Sequence, residues 1–230
     1  MGYKMKVAEM FSVLAAVCVA TTALADKTFF IDNFDDGNGR SKQGGWWYVY
    51  DDSGKGGESK VTPSKGSFSA EKSDASQGNA ARIQGTTGKK LGWDFIGMGV
   101  TLSKESGCPT GKPIDLSRYK TLEFKVKGKV SGGKVTVILP YVKNECSGME
   151  PESKIGWADY QAPITLKVTD NWTTVKLNLR KDFKQPVWMK PDQRVDIEEV
   201  LKNMHTLHWH FSSAAGDTLD LWVDDVLLTP

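Results

Sequence analysis

Leu219-Asp220-Leu221-Trp222-Val223-Asp224-Asp225-Val226 is the stretch whose reading decides the fold. Leu219, Leu221 and Val223 alternate with Asp220, Trp222 and Asp224, a period of two that marks a strand with one buried face. A strand this late in the sequence must be held by strands from much earlier. The chain therefore closes on itself, as β-sandwiches do.

Working outward, no long stretch carries helical periodicity. Short alternating runs recur instead, separated by Gly, Pro, Asn, Asp and Ser. Residues 28–34, 46–50, 80–84, 97–102, 121–127, 134–142, 172–180 and 206–213 read as strands. The clearest is 121–127, with Leu122, Phe124 and Val126 facing one way and Glu123, Lys125 and Lys127 the other. Residues 196–202 read as one or two helical turns carrying Ile197, Val200 and Leu201 on one face. No internal repeat or linker interrupts 26–230, so the expectation is one all-β domain of two antiparallel sheets with at most one short helix.

Residues 1–25 are set apart from that domain. Lys4 and Lys6 precede an apolar run that ends in Ala23-Leu24-Ala25, the small-x-small pattern of a cleaved secretory signal. The run is too short for a membrane span, which needs roughly 20 apolar residues. Without Lys4, Lys6 and Glu9, the 30 basic and 28 acidic residues become 28 and 27. So balanced a charge argues against a nucleic-acid partner. Export also implies an oxidising setting, in which the two remaining cysteines, Cys108 and Cys146, are expected to pair and staple two loops.

Catalytic signatures are sparse. No serine sits in a Gly-x-Ser-x-Gly elbow, a paired thiol is no nucleophile, and no carboxylate pair marks one strand face as a glycosidase would need. A sandwich-fold polysaccharide hydrolase or lyase stays as an alternative, as does an adhesion protein of the cell envelope. The histidines are His205, His208 and His210. His208 and His210 alternate with Leu207, Trp209 and Phe211, so both project from the outer face of one strand. Three readings stay open for them: two of the ligands of a zinc or copper site, a solvated polar pair, or hydrogen-bonding partners for sugar hydroxyls.

The aromatic inventory is more informative. The chain holds eight tryptophans. Trp93, Trp157, Tyr160 and Trp188 sit among Gly, Asp, Pro and Lys in loop-like contexts, where a large ring is costly unless covered or used for binding. Flat rings stack on the apolar faces of pyranose sugars while polar groups bind the hydroxyls, an extension of the aromatic-lined ligand site. A second reading makes some of these rings lids over the ends of the sandwich. Two acidic clusters, Asp32-x-x-Asp35-Asp36 and Asp224-Asp225, lie on strands that closure would bring together. They suit calcium, with carbonyls of the 51–57 loop as further ligands, or simply the preference of Asp for turns.

Ile31-Asp32-Asn33-Phe34-Asp35-Asp36-Gly37, the tryptophan-rich second strand, Asp115-Leu116-Ser117-Arg118-Tyr119-Lys120-Thr121-Leu122-Glu123-Phe124 and the closing Leu221-Trp222-Val223-Asp224-Asp225-Val226 occur in an order that resembles the family 11 carbohydrate-binding modules and their galactose-binding-like relatives. Phe183-x-Gln185-Pro186-x-Trp188 is similar to non-catalytic modules of bacterial cellulase systems. The resemblance implies a jelly-roll β-sandwich with structural calcium, for which Asp35 and Asp224 match the carboxylates. It also implies a sheet that binds single β-glucan chains, cellulose or mixed-linkage glucan, with Tyr50, Tyr141 and Tyr160 at family-like positions. With the aromatic and histidine readings, the candidate binding residues are Tyr50, Trp93, Tyr141, Trp157, Tyr160, Trp188, His208 and His210. The chain is expected to be a secreted, monomeric, non-catalytic polysaccharide-binding protein.

Overall fold

A computed structural model describes residues 27–73, 78–104, 111–142 and 155–230. The expected signal segment, Cys108 and Cys146 lie outside the described residues. The strands are β1 (Phe29–Asp32), β2 (Trp47–Asp51), β3 (Lys60–Thr62), β4 (Ala70–Lys72), β5 (Asn79–Thr86) and β6 (Asp94–Thr101). They continue with β7 (Thr121–Val130), β8 (Lys134–Leu139), β9 (Tyr160–Pro163), β10 (Thr173–Asn178), β11 (Thr206–Ser213) and β12 (Thr218–Thr229). One short helix, α1 (Ile197–Lys202), starts where the Asp196 carboxylate accepts the Glu198 N–H at 2.9 Å, the usual way a first helical turn satisfies its free donors.

Two antiparallel sheets pack face to face as a jelly-roll sandwich. One runs β10-β7-β12-β5-β3, with β1 also on β12 and β4 also on β5; the other runs β2-β6-β11-β8-β9. β12 is the hub of the larger sheet, pairing with β1, β5 and β7. Leu219, Leu221 and Val223 are buried as their alternation requires, and Trp222 faces outward. Asp224 departs from that alternation. The register on β7 slips between Asp224 and Leu227, and Asp225 takes a left-handed backbone at φ 49°. This bulge turns Asp224 inward and restores Val226 and Leu228 to the core.

Inward-facing residues of both sheets meet at Trp209, which is fully buried. Its ring lies 5.4 Å from Trp47 and edge-on to Phe124 at 5.5 Å, joining the two layers. β3, β4 and β9 have no counterpart in the alternation read from sequence. They are three to four residues long, and β9 ends in proline, so their pairing is decided by longer neighbours.

The outer face of the larger sheet is laced by charge and rings. Arg82 grips Asp220 through two nitrogens, at 3.0 and 2.8 Å, and reaches Glu71. Its guanidinium also lies over Trp222, while the Lys127 ammonium stands over Trp222 and Trp172. The smaller sheet turns a quite different face outward.

Candidate functional site

Two adjacent rows cross the outer face of the smaller sheet. One is Tyr48 (β2), Gly99 (β6), His208 (β11), Ile138 (β8) and Gln161 (β9); the other is Tyr50, Gly97, His210, Thr136 and Pro163. Alternation sets both rows, because Trp47, Val49, Met98, Val137 and Trp209 point into the core. Neither row holds a charged side chain.

Glycine on β6 shapes the surface. A Cβ on Gly97 would fall 2.4 Å from Cζ of Tyr50, and one on Gly99 would fall 2.7 Å from Cζ of Tyr48. Both phenol rings therefore lean across the bare strand towards the histidines. Tyr48 Oη is hydrogen-bonded to His208 Nε2 at 2.6 Å, and Tyr50 Oη to His210 Nδ1 at 3.2 Å. Tyr50 also contacts His208, with ring centres 5.1 Å apart.

The cluster continues towards the start of β6. Phe95 lies 6.1 Å from Tyr50 and 5.1 Å from His210, and Trp93 stacks on Phe95 at 6.0 Å with 18° between planes. Trp93 is 46% exposed. At the other end of β2, Trp46 is exposed and the Arg40 guanidinium stands over its ring.

Burial disfavours the charged imidazole. It lowers His208 to about 3, with neighbouring His210 adding to the effect, and lowers His210 to about 4. Burial likewise holds the Tyr50 phenol well above its ordinary value. Near neutral pH the platform is an uncharged set of hydrogen-bonding groups set among rings.

Two buried carboxylates support its Trp93 end. Asp94 accepts the N–H groups of Lys90, Leu91 and Gly92 at 3.2, 3.0 and 3.0 Å. Asp52 accepts from Ser59 N, Ser59 Oγ and Phe95 N.

Of the residues singled out in the sequence, Tyr50, Trp93, His208 and His210 come together here. Tyr141 does not. It is buried, and its hydroxyl donates to Glu199 on α1 at 3.0 Å, so its ring is unavailable for stacking. Tyr160 belongs to β9 rather than to a loop. It stands opposite inward-facing Leu139, packs against the core, and donates to the Val195 carbonyl. Trp188 is 66% exposed on the segment bridged to β9 through Lys184 and Gln161, off the opposite edge of the sheet. Trp157 sits in the short turn Gly156–Ala158, and its side chain lies outside the described residues.

Tyr48, Phe95, Trp46 and Gln161 escaped notice in the sequence. The signal for two of them was present: Trp46, Tyr48 and Tyr50 alternate with Trp47 and Val49, so the face that carries Tyr50 carries all three.

Among the described residues no three His, Cys, Asp or Glu side chains are gathered to hold a metal. The zinc or copper reading of His208 and His210 thus lacks a third such ligand, their neighbours being Tyr, Gly, Thr and Ile. The acidic residues do not fit a carboxylate calcium cage either. Asp32 accepts from Phe34 N and Trp47 Nε1 at 3.0 and 2.8 Å, and Lys42 stands 3.9 Å away. Asp35 is exposed and takes the Asn33 amide, while Asp224 is buried and accepts the Asp225 N–H.

A cavity of about 350 Å³ lies elsewhere, at the turn between β7 and β8, lined by residues such as Gly128, Lys129, Val168 and Asp170. It contains no aromatic ring. The aromatic face is a platform across strands rather than a hole.

Residues 31–230 match the family described as carbohydrate binding domain 30. The chain belongs to that family. Family 30 domains are non-catalytic polysaccharide-binding modules, and the hydrolase or lyase alternative gives way to that membership. Curated proteins include no significant match. Among solved structures, the chain is similar to the family 11 carbohydrate-binding module of the cellulosomal cellulase Lic26A-Cel5E of Clostridium thermocellum. That likeness has 15% identity and a TM-score of 0.53, covering 88% of this chain and 94% of that one. A family 11 module from the same organism, in complex with a β-1,3-1,4-mixed-linked tetrasaccharide, gives 15% identity and a TM-score of 0.52, covering 88% and 95%. At such identities the likeness shows the shared fold.

Proposed function

We propose that this family 30 domain binds β-glucan chains, cellulose or mixed-linkage glucan, on the outer face of the sheet β2-β6-β11-β8-β9. Sugar rings stack on Trp93, Tyr50 and Tyr48. Their hydroxyls exchange hydrogen bonds with His208, His210, Thr136 and Gln161. The observation that carries the reading is the unbroken cluster of Trp93, Phe95, Tyr50, Tyr48, His208 and His210 on one uncharged face.

The two rows across the strands carry no charged side chain, which suits a neutral polymer better than a uronate or sulfate. Four inter-strand gaps of about 4.8 Å make the face about 19 Å wide, room for a short run of sugars rather than one. The tetrasaccharide held by the family 11 neighbour is a ligand of the same class. In this reading the protein is exported after loss of residues 1–25 and acts as a monomer, with Cys108 and Cys146 paired.

Affinity electrophoresis and calorimetry against soluble glucans test the proposal. Retardation by mixed-linkage β-glucan or a soluble cellulose derivative, lost in Trp93→Ala, is expected. Absence of retardation by every glucan overturns it.

A further inference from the structure

Asp52 and Asp94 are both fully buried, yet their partners are backbone N–H groups and one serine hydroxyl. A buried carboxylate is retained only where such donors surround it. Here the donors are informative. Those of Asp94 are three successive amides, Lys90, Leu91 and Gly92, in the segment that leads directly into Trp93. One donor of Asp52 is the amide of Phe95, the ring beneath Trp93.

Glycines open the space for both groups. A Cβ on Gly57 would lie 2.1 Å from the Asp52 carboxyl carbon, and one on Gly88 would lie 2.4 Å from Asp94 Oδ1. Ser59 Oγ joins Asp52 to the loop that carries Asp94's donors, donating to Asp52 Oδ2 at 2.5 Å and accepting the Gly88 N–H at 2.8 Å. One continuous network therefore ties loop 52–59, loop 88–94 and the first residues of β6 to each other.

We propose that Asp52 and Asp94 are positioning residues for the Trp93 end of the platform, holding the indole over Phe95 before any glycan arrives. The proposal rests on the binding face proposed above. An exposed tryptophan on an unanchored loop would have to be ordered on binding, at a cost in affinity. With its loop pinned on both sides, Trp93 is already in place.

Asn is the informative replacement at 94. It keeps the size of the side chain but turns one acceptor into a donor that faces an N–H group. Asp94→Asn is expected to weaken binding of soluble mixed-linkage β-glucan about 10-fold, the scale of losing one aromatic anchor. In a Trp93→Ala background the same change is expected to do nothing further. Equal losses in both backgrounds, or none in either, overturn the proposal.

Ser59→Ala is a milder variant should Asp94→Asn not fold, and the same comparison with Trp93→Ala applies. Acrylamide quenching of Trp93, read as the difference between each protein and its Trp93→Phe counterpart, needs no ligand. Asp94→Asn is expected to increase it, and unchanged quenching overturns the positioning role. A wild type that binds no glucan while quenching rises would refute the binding face and leave the positioning intact.

Discussion

Tyr48 Oη lies 2.6 Å from His208 Nε2, bonded across a strand that carries only glycine at that level. This bond fixes the angle at which the phenol ring meets an incoming sugar. Tyr48→Phe keeps the ring and removes the tether, so glucan affinity is expected to fall by about 3- to 10-fold, the worth of roughly one hydrogen bond. Titration calorimetry reads this directly, with Tyr48→Ala expected to lose more.

Gly97→Ala offers a sharper test of the same geometry. The added Cβ would fall 2.4 Å from the Tyr50 ring and 2.8 Å from the Trp209 carbonyl. Overpacking of this kind typically costs about 1–3 kcal/mol. Glucan binding is expected to disappear while a weakened fold survives, as thermal melting and affinity electrophoresis on one preparation would show.

The histidines set a pH dependence. Both have folded pKa values, about 3 and about 4, below the ordinary 6.5. Between those limits the unfolded chain binds more protons than the folded one, so stability rises with pH. The contribution is complete above about pH 6.5 and is lost as pH falls towards 4 and then 3. Melting temperature should therefore decline as pH drops from 6.5 to 4, and less steeply in His208→Gln. Glucan affinity should stay flat from pH 5 to 8, because neither imidazole changes charge there.

Calcium was suggested by Asp35, Asp224 and the family resemblance. Lys42, 3.9 Å from the buried Asp32 carboxylate and 3.1 Å from Asp36, puts a cation of the protein's own beside the acidic cluster at the end of β1. Chelation with EDTA is expected to leave the melting temperature unchanged, while Lys42→Met lowers it. A large drop on chelation would overturn this expectation.

The core responds in the ordinary way. Leu221 is fully buried at the centre of β12. Leu221→Ala is expected to cost about 2–5 kcal/mol, measured by urea unfolding. Changing a surface residue such as Lys176 should cost little.

Much of this was legible in the sequence, and the reason is local. Strands β7, β10 and β11 alternate cleanly, so residues such as Leu122, Val175 and Trp209 declare their faces without reference to their neighbours. The helix was equally readable from Asp196 and the spacing of Ile197, Val200 and Leu201. Half of the platform followed from the same alternation, which put His208 and His210 outward together.

What failed depended on contacts distant in sequence. Tyr160 looked like a loop ring, and Tyr141 was named for its family-like position although it shares the alternating face of Val135, Val137 and Leu139; nothing nearby reveals that Glu199 and the Val195 carbonyl await their hydroxyls. Phe95 lies ahead of the run 97–102 read as a strand, so alternation said nothing of its face. Only the pairing of β6 with β2 and β11 brings its ring beside Tyr50 and His210. Asp224 obeyed the alternation on paper, and a bulge reversed it.

The central place of β12 has a consequence for biogenesis. Residues 218–229 join β1, β5 and β7, so the larger sheet cannot be completed until that segment has left the ribosome. Until then β5 and β7 expose unpaired edges, the kind of surface on which nascent chains associate wrongly. Fragments that stop short of residue 218 should be insoluble, and folding should be slow and concerted, because its decisive contacts span most of the polypeptide.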